Sequence, residues 1–174
     1  MRTVTMLVLS GIMFIFHVML SPVIEIFNAK IDFILISVVM LALFSQKWYP
    51  SLICSVYSGL AVDITTQANT YVNTGMYLFF GAFFGILFLF FKQKNFLFTG
   101  VIVFAAEAFK HLVFVFLLYI MRFSENMTLA TFLYGLPSAL YTFVASMGIF
   151  FVYKWIFSLP FMEEKTEDSG KYIF

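Results

Sequence analysis

Six stretches of almost uninterrupted apolar residues, each broken from the next by a short polar or charged cluster, leave this chain few ways to fold. A helix crossing the hydrocarbon of a bilayer needs about 20 mostly apolar residues. The segments run over 4–24, 31–44, 48–62, 75–91, 96–121 and 137–159. The second is short, and reads either as a tilted span or as a segment that dips in and returns. The first exceeds the apolar core of a secretory signal and lacks a small-x-small cleavage site, so it is expected to stay attached. With only 19 formal charges on 174 residues, 63% of them hydrophobic, and a mean hydropathy of +1.00, the chain cannot cover a soluble globule with charge. The expected fold is an all-α integral membrane protein: a compact bundle of six transmembrane helices over 1–161, with a short polar cytoplasmic tail over 162–174.

Cations set the orientation, because Lys and Arg are retained on the cytoplasmic side. With both termini cytoplasmic, Arg2, Lys47, Lys92, Lys94, Lys154, Lys165 and Lys171 lie inside, against Lys30 and Arg122 outside. Glu25, Asp32, Asp63 and Glu125 then fall on the outer side. Five spans would put the tail on the opposite face from Arg2. The net charge of +1 points to no nucleic-acid partner, and the single cysteine, Cys54, reads as a small buried apolar residue. No metal site or cofactor is implied.

Two places concentrate polar chemistry. On the third segment Ser51, Ser55 and Gly59 recur every four residues and end near Asp63, while Gly81 and Gly85 repeat that spacing on the fourth. Small side chains let helices approach closely, so these two segments are expected to pack tightly. Gly75 restarts the span after the loop "ITTQANT". Asp63 reads either as a hydrated or loop-capping carboxylate, or as a group that holds a partner or small ligand.

On the fifth segment, in "AEAFKHLVF", Glu107, Lys110 and His111 share one face. Charges at this depth cost about 2.5–3.5 kcal/mol each on insertion scales, so they should pair or face a wet cavity. Three roles stay open: a self-neutralising Glu107–Lys110 pair, contact with a second membrane subunit, or proton or solute handling. His17 is expected to be hydrogen-bonded in the bundle. On the sixth segment Ser138, Thr142 and Ser146 repeat a four-residue spacing, and Pro137 suits a first helical turn.

Catalysis finds little support. For intramembrane aspartyl hydrolysis Asp32 and Asp63 are the only aspartate pair on the outer face, without the glycine and asparagine context of lipoprotein signal peptidases, and no metal-site or nucleophile-elbow motif occurs. No enzyme is expected.

Gly59, Leu60, Asp63 and Ile64, followed by Gly75 and Gly81, resemble the signature loop of the MreD family of bacterial rod-shape-determining membrane proteins. "LPSALYT", Leu136 to Thr142, is similar to that family's last-helix motif. Length, six spans, the ionisable cluster in the fifth span and cytoplasmic ends are also similar. The polar approach "VNTGMY" to Gly75 departs from the apolar pattern there, and the tail has no counterpart that the family interprets. The resemblance implies a bundle with an outline like that of energy-coupling-factor transporter S components. It also implies a non-enzymatic scaffold of cell-wall elongation in the bacterial cytoplasmic membrane, partnering the bitopic protein MreC and, through it, MreB, RodA and penicillin-binding protein 2. Ser55, Gly59, Asp63, Gly75, Gly81, Gly85, Glu107, Lys110, His111, Pro137 and Ser138 would then be packing or docking residues. The alternative is an S component itself, which needs an outer pocket and alanines spaced four apart on the first helix; "VTMLVLSGIMFIFHVML" has none.

Overall fold

A computed structural model describes residues 2–25, 29–45, 47–65, 71–90, 95–120, 135–160 and 162. The described residues form six helices: α1 Arg2–Met19, α2 Phe33–Ser45, α3 Trp48–Thr65, α4 Val72–Phe90, α5 Phe96–Ile120 and α6 Gly135–Phe157. Lys92, Lys94, Arg122, Glu125, Lys165, Lys171, residues 66–70 of the loop after Asp63 and all of the expected tail except Met162 lie outside the described residues.

The helices divide by their apolar pattern. In α2 nothing but two serines interrupts the apolar run, no face is polar, and every residue from Phe33 to Ser45 is buried. A helix apolar all round belongs at the centre of a bundle. At 13 residues it is about 20 Å long, shorter than the hydrocarbon thickness. It is a core helix enclosed by α1, α3, α4, α5 and α6.

The surrounding helices each bury one stripe at helical spacing. Met6, Leu9, Ser10 and Met13 face inward on α1; Tyr77, Phe80, Gly81, Phe84 and Gly85 on α4; Ser138, Thr142, Ser146, Phe150 and Tyr153 on α6. The opposite faces are also apolar: Val8, Ile15, Phe83, Ile86, Phe116, Val144 and Phe151 are exposed. Inside, by contrast, lie Ser10, Ser37, Ser55, Thr99 and Thr142. A soluble chain would not expose such continuous apolar surface. By length and composition α4, residues 96–117 of α5, and α6 can each cross a membrane, and the outward apolar faces point the same way, to membrane association.

Around α2 the helices form two groups. α3 pairs extensively with α4 and touches α1, while α5 pairs with α6. Neither α5 nor α6 packs along the length of α1, α3 or α4 among the described residues; both lie along α2, and α5 also meets α4 through the rings of Phe109, Phe79 and Phe80. At the end where α2 finishes, Phe44 packs between the rings of Phe150 and Phe157, each 5.4 Å away.

Candidate functional site

Where α2 begins, Asp32 occupies its N-cap: Oδ1 accepts the backbone N–H of Leu35 at 2.9 Å, satisfying one of the donors that a helix start leaves free. Its other oxygen, Oδ2, accepts the hydroxyl of Tyr77 from α4 at 2.7 Å and the ammonium of Lys110 from α5. Asp32's own N–H donates to Thr142 Oγ1 of α6 at 3.2 Å. His17 of α1 places Nδ1 3.8 Å from Oδ1, with no hydrogen-bond partner among the described residues. The bonds of one residue thus join four helices, α2, α4, α5 and α6, with His17 of α1 beside them. Asp32 is 3% exposed, because the helix it caps is itself buried.

The fifth-helix cluster completes this site. Lys110 Nζ lies 2.8 Å from Glu107 Oε2, one turn away on α5, and also reaches over the Tyr77 ring at 5.7 Å from its centroid. The local Glu107–Lys110 pair therefore exists, but Lys110 is shared with Asp32 and does not serve Glu107 alone. His111 Nε2 is 3.5 Å from Glu107 Oε1, and Gly135 lies against the His111 ring, where a Cβ would come within 2.7 Å of Cγ. Ser138 gives its single proton to the Lys30 carbonyl at 2.6 Å and stands 3.4 Å from Glu107 Oε1. Pro137 sits in the first turn of α6, as its missing N–H favours. The two carboxylates and one ammonium sum to a formal charge of −1, flanked by two imidazoles, in a region where Asp32 and Glu107 are almost wholly buried.

The α3–α4 seam is a second, separate constellation. A Cβ at Gly59 would lie 2.7 Å from Thr74 Cα, one at Gly81 2.9 Å from the Ser51 carbonyl, and one at Gly85 2.7 Å from the Trp48 carbonyl. Rising positions on α4 meet falling positions on α3, so the helices run antiparallel with backbones in contact. Ser51 and Ser55 lie between them; Ser51 Oγ is 3.0 Å from the Gly81 carbonyl. Asp63 closes the seam at its end: Oδ1 accepts Asn73 Nδ2 at 2.9 Å, and Oδ2 accepts the Thr74 N–H at 2.8 Å and its hydroxyl at 2.6 Å. Asp63 is 2% exposed, so it caps the start of α4 and is not a hydrated loop carboxylate. Gly75 does not join the seam. It lies inside α4 with nothing within 4 Å of where its Cβ would be, and as a packing residue it is corrected.

Sequence spacing brought Ser55, Gly59, Asp63, Gly81 and Gly85 together, and Glu107, Lys110 and His111. It missed Asp32 and Tyr77 as members of the charged site. The signal available for Asp32 was an N-cap residue directly before a helix apolar on every face. Two cavities flank the site. One, about 280 Å³, opens beside His17, Ser21, Lys30 and Thr65. The other, about 380 Å³, lies between α4 and α5 and is lined by Phe, Leu, Ile and Ala side chains alone. Searches of protein-family models, curated proteins and solved structures found no match to this chain.

Proposed function

We propose that this chain is a non-enzymatic scaffold of the bacterial wall-elongation complex, of the MreD type, embedded in the cytoplasmic membrane by six helices with both termini in the cytoplasm. The observation that carries this reading is the use made of the residues that resemble that family. Gly59 meets the α4 backbone, Asp63 ties α3 to α4, Ser138 holds the Lys30 carbonyl and Thr142 holds the Asp32 N–H. These polar groups are spent on joining helices, which suits a protein whose product is a rigid surface in the membrane. That surface would dock MreC and, through it, MreB, RodA and penicillin-binding protein 2. The test is depletion in a rod-shaped bacterium that encodes the chain. Cells should become round, and a tagged copy should capture MreC. Cells that stay rod-shaped, with a tagged copy free of MreC, refute the reading.

A second reading, an S component of an energy-coupling-factor transporter, is favoured by the cavity beside His17, Ser21, Lys30 and Thr65. Its volume is close to the lower limit of small-molecule sites. A vitamin co-purifying with the protein, lost when His17 or Ser21 is replaced by a bulky residue, would favour that reading over the first.

A further inference from the structure

Between α4 and α5 the bundle wall has a slot. The two helices follow one another in the chain, yet they do not pack along their lengths. At the end nearer Asp32 the slot is shut by Phe109 of α5, whose ring lies 6.1 Å from Phe79 and 6.2 Å from Phe80 of α4. At the other end α4 finishes at Phe90 and α5 starts at Phe96. Ile102 and Phe109 on the α5 wall are seven positions apart, about 10 Å of helix. The slot, of about 380 Å³, carries no polar lining side chain.

We propose that this slot takes an acyl chain of a phospholipid from the surrounding bilayer. Three arguments select that occupant. An all-apolar cavity does not hold water, and an unfilled one forfeits the dispersion contacts of its walls. A partner's spanning helix needs about 30 Å of continuous seat and is about 10 Å wide or more, whereas the α5 residues that line this slot, Ile102 to Phe109, extend over only about a third of that length. Third, helix seats in lipid are built from small residues, and the glycines that build one here, Gly59, Gly81 and Gly85, are already consumed between α3 and α4. The slot is walled instead by bulky rings such as Phe84, with Ala105 and Ala106 opposite, which leaves a narrow channel of hydrocarbon character. A flexible polymethylene chain matches it in width and polarity. The inference stands whether or not the scaffold reading holds.

The test uses the full chain with Trp48 and Trp155 replaced by Phe, carrying one reporter indole, F84W, in bilayers of phosphatidylcholine brominated at mid-chain. I86W, on the exposed face of the same helix, is the lipid-contact reference. F84W should be quenched as fully as I86W although Phe84 is 4% exposed in the protein, and adding A105F, at an exposed edge of the slot, should abolish that quenching. A105L replaces A105F if the larger side chain lowers the yield of folded protein. An unquenched F84W overturns the proposal, and so does quenching that the plugging variant leaves intact. F84W emission that instead follows the protein-to-lipid ratio would assign the slot to a second copy of the chain, and would equally overturn it.

Discussion

Lys110 of α5 and Tyr77 of α4 converge on the same oxygen of Asp32, Oδ2, so one carboxylate ties together two helices that otherwise leave a gap between them. The same residue caps α2 and receives α6 through Thr142. The α5–α6 pair is thus fastened to the rest of the bundle by apolar packing on α2 and, at the Asp32 end, by this polar junction. In a low-dielectric interior such a junction is costly when incomplete and neutral or mildly favourable when complete.

Removal of Lys110 should therefore do more damage than removal of either carboxylate's charge. Lys110→Met strands both Asp32 and Glu107, and breaking a buried pair in this way costs about 3–5 kcal/mol. Glu107→Gln leaves the Lys110–Asp32 contact intact and should cost less than half as much. Thermal unfolding of the two variants in one detergent checks the order.

Asp32→Ala removes the α2 cap together with the acceptor for Tyr77, whereas Asp32→Asn keeps a good capping side chain and a carbonyl oxygen. The cap alone is worth about 1 kcal/mol. Asp32→Ala should unfold at the lower temperature, by a margin larger than Tyr77→Phe produces by itself. Equal midpoints for Ala and Asn at this position would show that the cap contributes nothing.

Glycines separate into two classes. Gly59→Ala, Gly81→Ala and Gly85→Ala push a methyl group into backbone or serine atoms less than 3 Å away, and overpacking of this kind costs about 1–3 kcal/mol. Gly75→Ala meets open space and should raise helix stability by up to about 1 kcal/mol. Circular dichroism melts of the four variants read the contrast directly.

Asp63→Ala leaves the Thr74 N–H and two side-chain donors without their acceptor, a loss of about 1–3 kcal/mol for a buried group. Asp63→Asn, which retains one acceptor oxygen, should recover part of it. Hydrogen exchange at the start of α4 should accelerate in Asp63→Ala before it does elsewhere.

How much of this was legible in the sequence follows from which contacts are local. The glycine and serine stripes of α3 and α4 and the Glu107–Lys110–His111 face are spacings of three or four residues within one helix, and spacing reveals a shared face. The approximate segment ends were legible too, because polar clusters interrupt the apolar runs. Asp32 was not, since its partners come from positions 77, 110 and 142 and only the burial of α2 brings them to it. The burial of α2 was not legible either: length alone does not distinguish a helix enclosed by others from one that meets lipid. That Gly75 packs against no other helix was not legible, because a glycine near a helix start looks the same in sequence whether it packs or faces open space.

The central claim is that the buried ions of Asp32, Glu107 and Lys110 hold helices together and carry out no chemistry or transport. A triple variant, Asp32→Asn with Glu107→Gln and Lys110→Met, removes all three charges while keeping the cap and the side-chain volumes, and replacement of a whole buried ionic set is often neutral or stabilising. The decisive measurement is whether this variant, expressed at the native level in cells depleted of the native chain, supports rod shape. The account predicts folded protein, MreC captured as by the native chain, and rod-shaped cells. A triple variant that folds and captures MreC normally, yet leaves the cells round, would contradict it.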